Sequence, residues 1–464
     1  MGKLSDDIEK EIRDLDPAES LRVRRVLQRL LAVIEKPDGS AKPGVMRSFI
    51  SREKIQRPVA ESRDSASEVG EKSVGTIIQE RARGLSPFYR RTLLKDVVPF
   101  WFPRSVDKQH GGFHHCFDRD GTLVDTDKSV WAQGRMTWML LTLYNTVEKK
   151  PEWLEWGQAG IDFIAKHCFD KDGRMFFHVT QDGKPIRKRR YAFSECFASI
   201  AYAAHAKATG SSQSANRARE LFEQFTRVNF TPGEMTPKFT DERPMIGLGP
   251  RMMTISMAQE LQANLGPDDK LRGWIDRCID EVRKWFVKPD IKCVMETVEP
   301  DGNISDHFDG RTLNPGHAIE CAWFILHEAR LRKDDELKDL GLHMLDWMWE
   351  RGWDQVFGGL YYFRDVYDKP VQDYWQDMKF WWVHDEAIIA TLMAWQMTGH
   401  PKYADWHRKV HDWSFKHFAD PEHGEWYGYL HRDGRLSTPL KGGMWKSFFH
   451  HPRMLWKCWQ LCSE

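Results

Sequence analysis

Little in this chain of 464 residues points to a cross-linked, metal-clasped or membrane-spanning protein. The eight cysteines (Cys116, Cys168, Cys196, Cys278, Cys293, Cys321, Cys458 and Cys462) are scattered. None forms a C-x-x-C pair, so neither a zinc clasp nor a disulfide framework is expected, and no bound metal. No charge sign dominates: 68 Lys plus Arg balance 68 Asp plus Glu. That speaks against a nucleic-acid partner held by bulk charge. No apolar run approaches the roughly 18–20 residues that cross a bilayer, and mean hydropathy is −0.60. The opening Met1-Gly-Lys-Leu-Ser-Asp has no apolar stretch of the signal-peptide kind, so a cytoplasmic protein without membrane contact is the expectation. Gly442–Ser447 lacks the G-x-x-x-x-G-K-[ST] pattern of a phosphate loop.

Aromatic residues, by contrast, are plentiful at 12%, with 21 Trp. With a hydrophobic fraction of 41%, they allow a large core and argue against global disorder.

Two regions differ in pattern. Residues 5–36 read as a helix, with Val23, Val26, Leu27, Leu30, Leu31 and Ile34 at three- to four-residue spacing. Residues 37–75 are polar and without period, the pattern of an extended or flexible segment. From about residue 77 regular helices and aromatics take over, and residues 86–464 are expected to form the main domain after an N-terminal extension over 1–85.

The main domain repeats. A glycine turn followed by an aromatic stretch recurs at His110-Gly-Gly-Phe113, Asp172-Gly-Arg-Met-Phe-Phe177, Gly358-Gly-Leu-Tyr-Tyr-Phe363 and His423-Gly-Glu-Trp-Tyr427. Fainter turn-only echoes lie at Pro232-Gly233 and Asp301-Gly302. The step is about 60 residues, and helix-length pairs such as 194–209 with 213–227 and 315–332 with 335–350 fill the intervals. Six helix pairs closing into a ring make an all-α (α/α)6 barrel with short β-hairpins at one end. An open solenoid would need polar caps; the last helical segment, 452–461, is aromatic and apolar instead, which favours closure.

In such a barrel the chemistry sits where inner helices begin. Asn314-Pro-Gly-His317-Ala-Ile-Glu320 puts a histidine and a carboxylate three apart on one face, as a general base needs; the same residues could simply start a helix. In Trp381-Trp382-Val-His384-Asp-Glu386 the histidine and the glutamate, two apart, point to different helix faces, and the tryptophans serve either as core or as a sugar-stacking platform. Phe448-Phe-His450-His451-Pro-Arg453 presents a histidine at a loop–helix junction. Trp131-Ala-Gln133-Gly-Arg135 offers a guanidinium suited to an oxyanion or diol, or to a salt bridge.

Taken together, the stretches Asp127–Arg135, Phe193–Phe197 (with Glu195), Asn314–Trp323, Asp377–Ala387, Gly424–Leu430 and Lys441–Arg453 resemble, in order, the N-acylglucosamine 2-epimerase family. The resemblance spans about residues 86–464 and implies an (α/α)6 barrel. It also implies sugar C2 epimerisation, most typically between N-acetylglucosamine and N-acetylmannosamine. By motif it places the essential arginine on Arg135, the catalytic histidines on His317 and His450, and the essential glutamate on Glu386. Glu320 matches the carboxylate paired with the first histidine. Trp131, Gln133, Glu195, Trp381, Trp382 and His384 complete the expected substrate contacts. His451 is a rival for His450. The resemblance further implies a homodimer and no required cofactor, with ATP as an effector in some members.

The chemistry follows from those residue types. After ring opening, one imidazole removes the C2 proton next to the aldehyde, and a second, expected on the opposite wall, returns one. Arg135 would stabilise the enolate oxygen. Cellobiose 2-epimerases usually carry a further histidine on the helix matching 252–262; here Met252-Met-Thr-Ile-Ser-Met257 has none, favouring an N-acyl monosaccharide. Mannose or disaccharide substrates and aldose–ketose isomerisation use a like intermediate. A glycoside hydrolase would need two carboxylates about 5–10 Å apart, with Glu195, Glu320, Asp385 and Glu386 as candidates. A non-catalytic protein-binding role would leave His317→Ala and His450→Ala without effect.

Overall fold

A computed structural model describes residues 74–463. The helix expected over 5–36 and the segment up to residue 73 lie outside them. Among the described residues, twelve helices of at least twelve residues alternate along the chain: α1 (Val74–Thr92), α2 (Val130–Thr146), α3 (Pro151–His167), α4 (Phe193–Thr209), α5 (Ser212–Phe230), α6 (Leu248–Leu265), α7 (Asp269–Glu281), α8 (Pro315–Arg332), α9 (Asp335–Gly352), α10 (Trp381–Thr398), α11 (Pro401–His417) and α12 (His450–Leu461). Helix α1 runs through position 85, where the extension was expected to end.

Composition sorts these helices into two rings. In α10 every residue from Trp381 to Trp395 is buried, because the helix is apolar nearly all round. Helices α2, α4, α6, α8 and α12 are its partners in the inner ring. The amphipathic helices α3, α5 and α7 bury one face, as outer helices must. The ring closes between α12 and α2, where Trp138 packs edge-on against Phe449 (5.4 Å) and Trp456 (6.2 Å). Trp456 Nε1 donates to Thr146 Oγ1 across the same seam at 3.0 Å. This is the (α/α)6 barrel, closed by the aromatic C-terminal helix.

Outer helices return to inner ones through short hairpins. Residue pairs Val106–Phe113, Phe169–Met175, Trp353–Leu360 and Ala419–Trp426 bridge at the four glycine turns. A fifth hairpin, Val287–Lys288 with Cys293–Val294, has no glycine; Lys292 takes the left-handed conformation there (φ 49°). The Asp301-Gly302 turn belongs to the segment following it, and residues 231–245 carry turns but no hairpin.

Three hairpins are locked by one repeated device, a buried lysine ahead of an inner helix or its loop and an aspartate opening the hairpin. The pairs are Lys128–Asp107 (2.8 Å), Lys379–Asp354 (3.2 Å) and Lys441–Asp420 (3.2 Å). All three aspartates lie far below the usual carboxylate range despite burial: Lys128 and backbone N–H groups lower Asp107, Arg432 and then Lys379 lower Asp354, and Arg119 and Tyr427, with Lys441, lower Asp420. Removing one partner strands a buried charge. Asp354→Ala is therefore expected to destabilise the fold by about 3–5 kcal/mol, read as a lower denaturant midpoint.

Candidate active site

The inner helices begin around the mouth of a cleft of about 1790 Å³. Arg135, Trp131, His317, Glu320, Trp381, Trp382 and His450 all line it. Glu386 stands directly behind, fully buried.

His317 enters from the first turn of α8. Asn314 caps that helix, its Oδ1 accepting from the His317 N–H at 3.1 Å. Pro315 and Gly316 complete the turn. A Cβ on Gly316 would meet the Trp382 ring at 2.6 Å, so glycine is what lets the indole press against this helix start. Trp382 lies 5.0 Å from the His317 ring and 5.8 Å from the His450 ring. The two imidazoles were expected on opposite walls. They stand instead on α8 and α12, the two inner-ring neighbours of α10, and both lie close to the same α10 indole.

Each imidazole is held from behind through Nδ1. His450 Nδ1 lies 2.8 Å from Glu386 Oε1. His317 Nδ1 lies 2.9 and 3.1 Å from the two oxygens of Glu296. The expected pairing of His317 with Glu320 is thus replaced by one with Glu296. Glu320 turns to Arg453, whose Nη2 donates to Glu320 Oε1 and Glu386 Oε1, both at 2.6 Å. Trp323 Nε1 donates to the other oxygen of Glu386 at 2.8 Å. Carboxylates accept, so each Nδ1 carries the hydrogen and Nε2 is left for the cleft.

Glu320, Glu386 and His450 bring donor atoms within 4.8 Å of one another, the donor types of a metal site. The Arg453 guanidinium, bonded to both carboxylates, already fills the position a cation would take. The cluster is a carboxylate–guanidinium–imidazole network.

The electrostatics separate the two histidines. Burial, then the nearby Arg453 and Arg135 charges, hold His450 well below the usual histidine range. Burial also acts against a charged His317, but the charge and hydrogen bond of Glu296 outweigh it and raise that ring's pKa. Burial lowers Arg135 to about 10, with Glu320 opposing the shift, so it stays charged at neutrality. Its guanidinium lies over Phe197 (4.1 Å) and Phe449 (4.8 Å), and its buried Nε has no partner among the described residues.

Three expected contacts are absent from the cleft. Gln133 binds the backbone N–H and C=O of Phe113 at 2.8 and 2.9 Å. Glu195 accepts from the Met175 N–H at 3.0 Å and from Arg174. His384 Nε2 accepts from the Leu360 N–H at 2.9 Å while Nδ1 faces the Phe380 carbonyl, and burial lowers its pKa to about 3. Phe113, Met175 and Leu360 are equivalent bridge residues of three hairpins. A polar first-turn residue of α2, α4 and α10 ties the preceding hairpin down. His451 is likewise turned away: it stacks on Trp426 at 4.0 Å and pairs with Asp385 at 3.0 Å. Of the adjacent histidines, His450 is the one in the cleft. Glu296, Arg453 and Trp323 complete the constellation and were not singled out from sequence.

The model of the N-acylglucosamine 2-epimerase family matches residues 111–453. The chain belongs to the N-acylglucosamine 2-epimerase family. It is 36% identical over 380 residues to the N-acylglucosamine 2-epimerase of Rattus norvegicus, covering 79% of this chain and 90% of that protein. The Homo sapiens protein of the same name is 34% identical over 386 residues, covering 80% and 88%. The cellobiose 2-epimerase of Eubacterium cellulosolvens is 23% identical over 401 residues, covering 78% and 95%. Among solved structures, the cellobiose 2-epimerase of Bacillus thermoamylovorans superposes with a TM-score of 0.72 at 19% identity, covering 82% of this chain and 99% of that one. A D-mannose isomerase gives 0.71 at 17%, covering 81% and 97%. These structures share the barrel. No described helix is long and apolar enough to cross a membrane.

Proposed function

We propose that this chain is a sugar 2-epimerase that interconverts N-acetylglucosamine and N-acetylmannosamine by moving a proton at C2. The observation that carries the reading is the pair His317 and His450: two imidazoles close to one indole, each tied back through Nδ1 to a carboxylate, in a shared cleft. On the open-chain sugar, Nε2 of one histidine takes the C2 proton. The C–H pair becomes the C1–C2 double bond, and the carbonyl pair moves onto the C1 oxygen. Arg135, whose Nε is unpaired among the described residues, stabilises that oxygen's charge. The second histidine returns a proton to the other face of C2 and the carbonyl reforms. Trp382 and Trp381 offer flat apolar surface to the carbon chain. The route asks for no redox group and no metal.

The substrate rests on two supports: the higher identity to proteins named N-acylglucosamine 2-epimerase than to those named cellobiose 2-epimerase, and the absence of histidine over 252–262. A hydrolytic reading finds less support. Glu195 and Asp385 are engaged away from the cleft, and Glu320 and Glu386 are joined through a single Arg453 nitrogen rather than set across a glycosidic bond.

Incubation with N-acetylmannosamine, N-acetylglucosamine, mannose and cellobiose, with products identified by NMR, tests the reading. Interconversion of the first two is expected. Turnover confined to mannose or cellobiose would reassign the substrate, and a hydrolysed glycoside would reassign the reaction.

A further inference from the structure

We propose that Glu296 is a positioning residue that holds His317 by Nδ1 and makes it the proton donor of the resting site, with His450 the acceptor. The inference rests on the epimerase reading and adds a division of labour to it.

Glu296 is held where it is needed. Its backbone N–H donates to the Thr312 carbonyl at 3.3 Å, and its carbonyl accepts from the Leu248 N–H, at the start of α6, at 3.0 Å. The strand pairs flanking it, Ile246–Gly247 with Thr297–Val298 and Thr312–Leu313 with Arg364–Asp365, fix both neighbours. Both carboxylate oxygens reach Nδ1, at 2.9 and 3.1 Å. Asn314 Nδ2 is also 3.0 Å from that nitrogen, but it too is a donor, so the hydrogen on Nδ1 goes to the carboxylate.

The groups facing His317 come from every element around it. They are Glu296 from the segment before α8, with Tyr362 from the segment after α9 beside that carboxylate, Glu320 from its own helix, Glu386 and Trp382 from α10, and His450 from α12. Three carboxylates favour a charged imidazolium there. Around His450, Glu386 and Glu320 are shared with Arg453, and Arg135 adds a second positive charge. The two rings shift accordingly: the Glu296 charge raises His317, while burial and the Arg453 and Arg135 charges lower His450.

The resting form, with one proton on His317 Nε2 and none on His450 Nε2, binds productively the epimer whose C2–H faces His450. After turnover the proton has moved from C2 to His450, and His317 has lost one to the product. That form is the one required by the opposite epimer, and exchange with water restores the first. Activity toward either epimer thus needs exactly one of the two histidines charged. It falls at low pH when His450 gains a proton, and at high pH when His317 loses its own.

Glu296→Gln keeps an acceptor for Nδ1–H and removes the charge. It should lower kcat about a hundredfold and move the alkaline limb of the kcat/KM profile toward lower pH. Glu296→Asp should restore part of both. Glu320→Gln should move that limb less. In ¹⁵N-histidine NMR of the unsubstituted enzyme without sugar, assigned through His317→Asn and His450→Asn, the His317 ring should titrate above the His450 ring. An alkaline limb unmoved in Glu296→Gln but moved in Glu320→Gln, or a His317 ring titrating below His450, overturns the proposal. The NMR order is independent of turnover, so failure of the epimerase reading alone leaves it standing.

Discussion

Replacing His450 with asparagine is expected to lower kcat for epimerisation on the order of 10²–10⁴-fold, the usual contribution of a general acid–base group. KM should change little, since Trp381, Trp382 and Arg135 still line the cleft. The more telling result concerns exchange. A site with one imidazole left can remove and return a C2 proton on one face only. His450→Asn should therefore still exchange the C2 hydrogen of one epimer with solvent, without inverting it. His317→Asn should do the same for the other epimer. Deuterium entry at C2, followed by NMR on each sugar separately, checks this. Loss of exchange from both epimers in both variants would mean that the two rings act as one relay rather than as two independent bases.

Arg453→Met is expected to lower stability about as much as Asp354→Ala and to alter the chemistry as well. Arg453 Nη2 joins Glu320, on α8, to Glu386, on α10, and lies 3.3 Å from His450 Nδ1. Both carboxylates are almost fully buried. Without the guanidinium they face each other uncompensated, a change that typically costs about 3–5 kcal/mol. The chemistry should also respond. Burial is the first cause of the low pKa of His450 and Arg453 is the second. Removing that positive charge beside Glu386 makes protonation of His450 easier. The neutral form is the one that accepts the C2 proton, so the acidic limb of kcat/KM should move up toward neutrality. Circular dichroism in denaturant gives the stability, and the pH profile of the folded variant gives the second effect. A shift of the acidic limb to lower pH would contradict the assigned role.

The barrel was legible because each level of the chain repeats. The inner helix α10 is buried all round, the outer helices α3, α5 and α7 on one face, and glycine punctuates four hairpins. The hairpin at Lys292 escaped because a lysine takes the left-handed position that glycine holds elsewhere. His317, His450 and Arg135 were legible because proline, glycine and aromatics mark the loop-to-helix junctions that present them. Glu296 was not, being 21 residues before His317, and only the strand pairing between consecutive units brings them together. A nearer carboxylate, Glu320, satisfied the local helix spacing and drew the pairing to itself. Gln133, Glu195 and His384 misled for a related reason: they occupy the same first turns as the site residues, but point to the hairpin backbone. Spacing along one helix cannot separate those two directions.

In the proposed reaction the two imidazoles near Trp382 pass the hydrogen of a sugar's C2 between sugar and solvent. The most direct test is the initial rate of epimerisation in deuterium oxide, with isotope content at C2 measured by NMR in both product and unreacted sugar. The account predicts product carrying deuterium at C2 while the unreacted sugar keeps its protium. Product that retains the original hydrogen, or unreacted sugar that gains deuterium as fast as product forms, would contradict it.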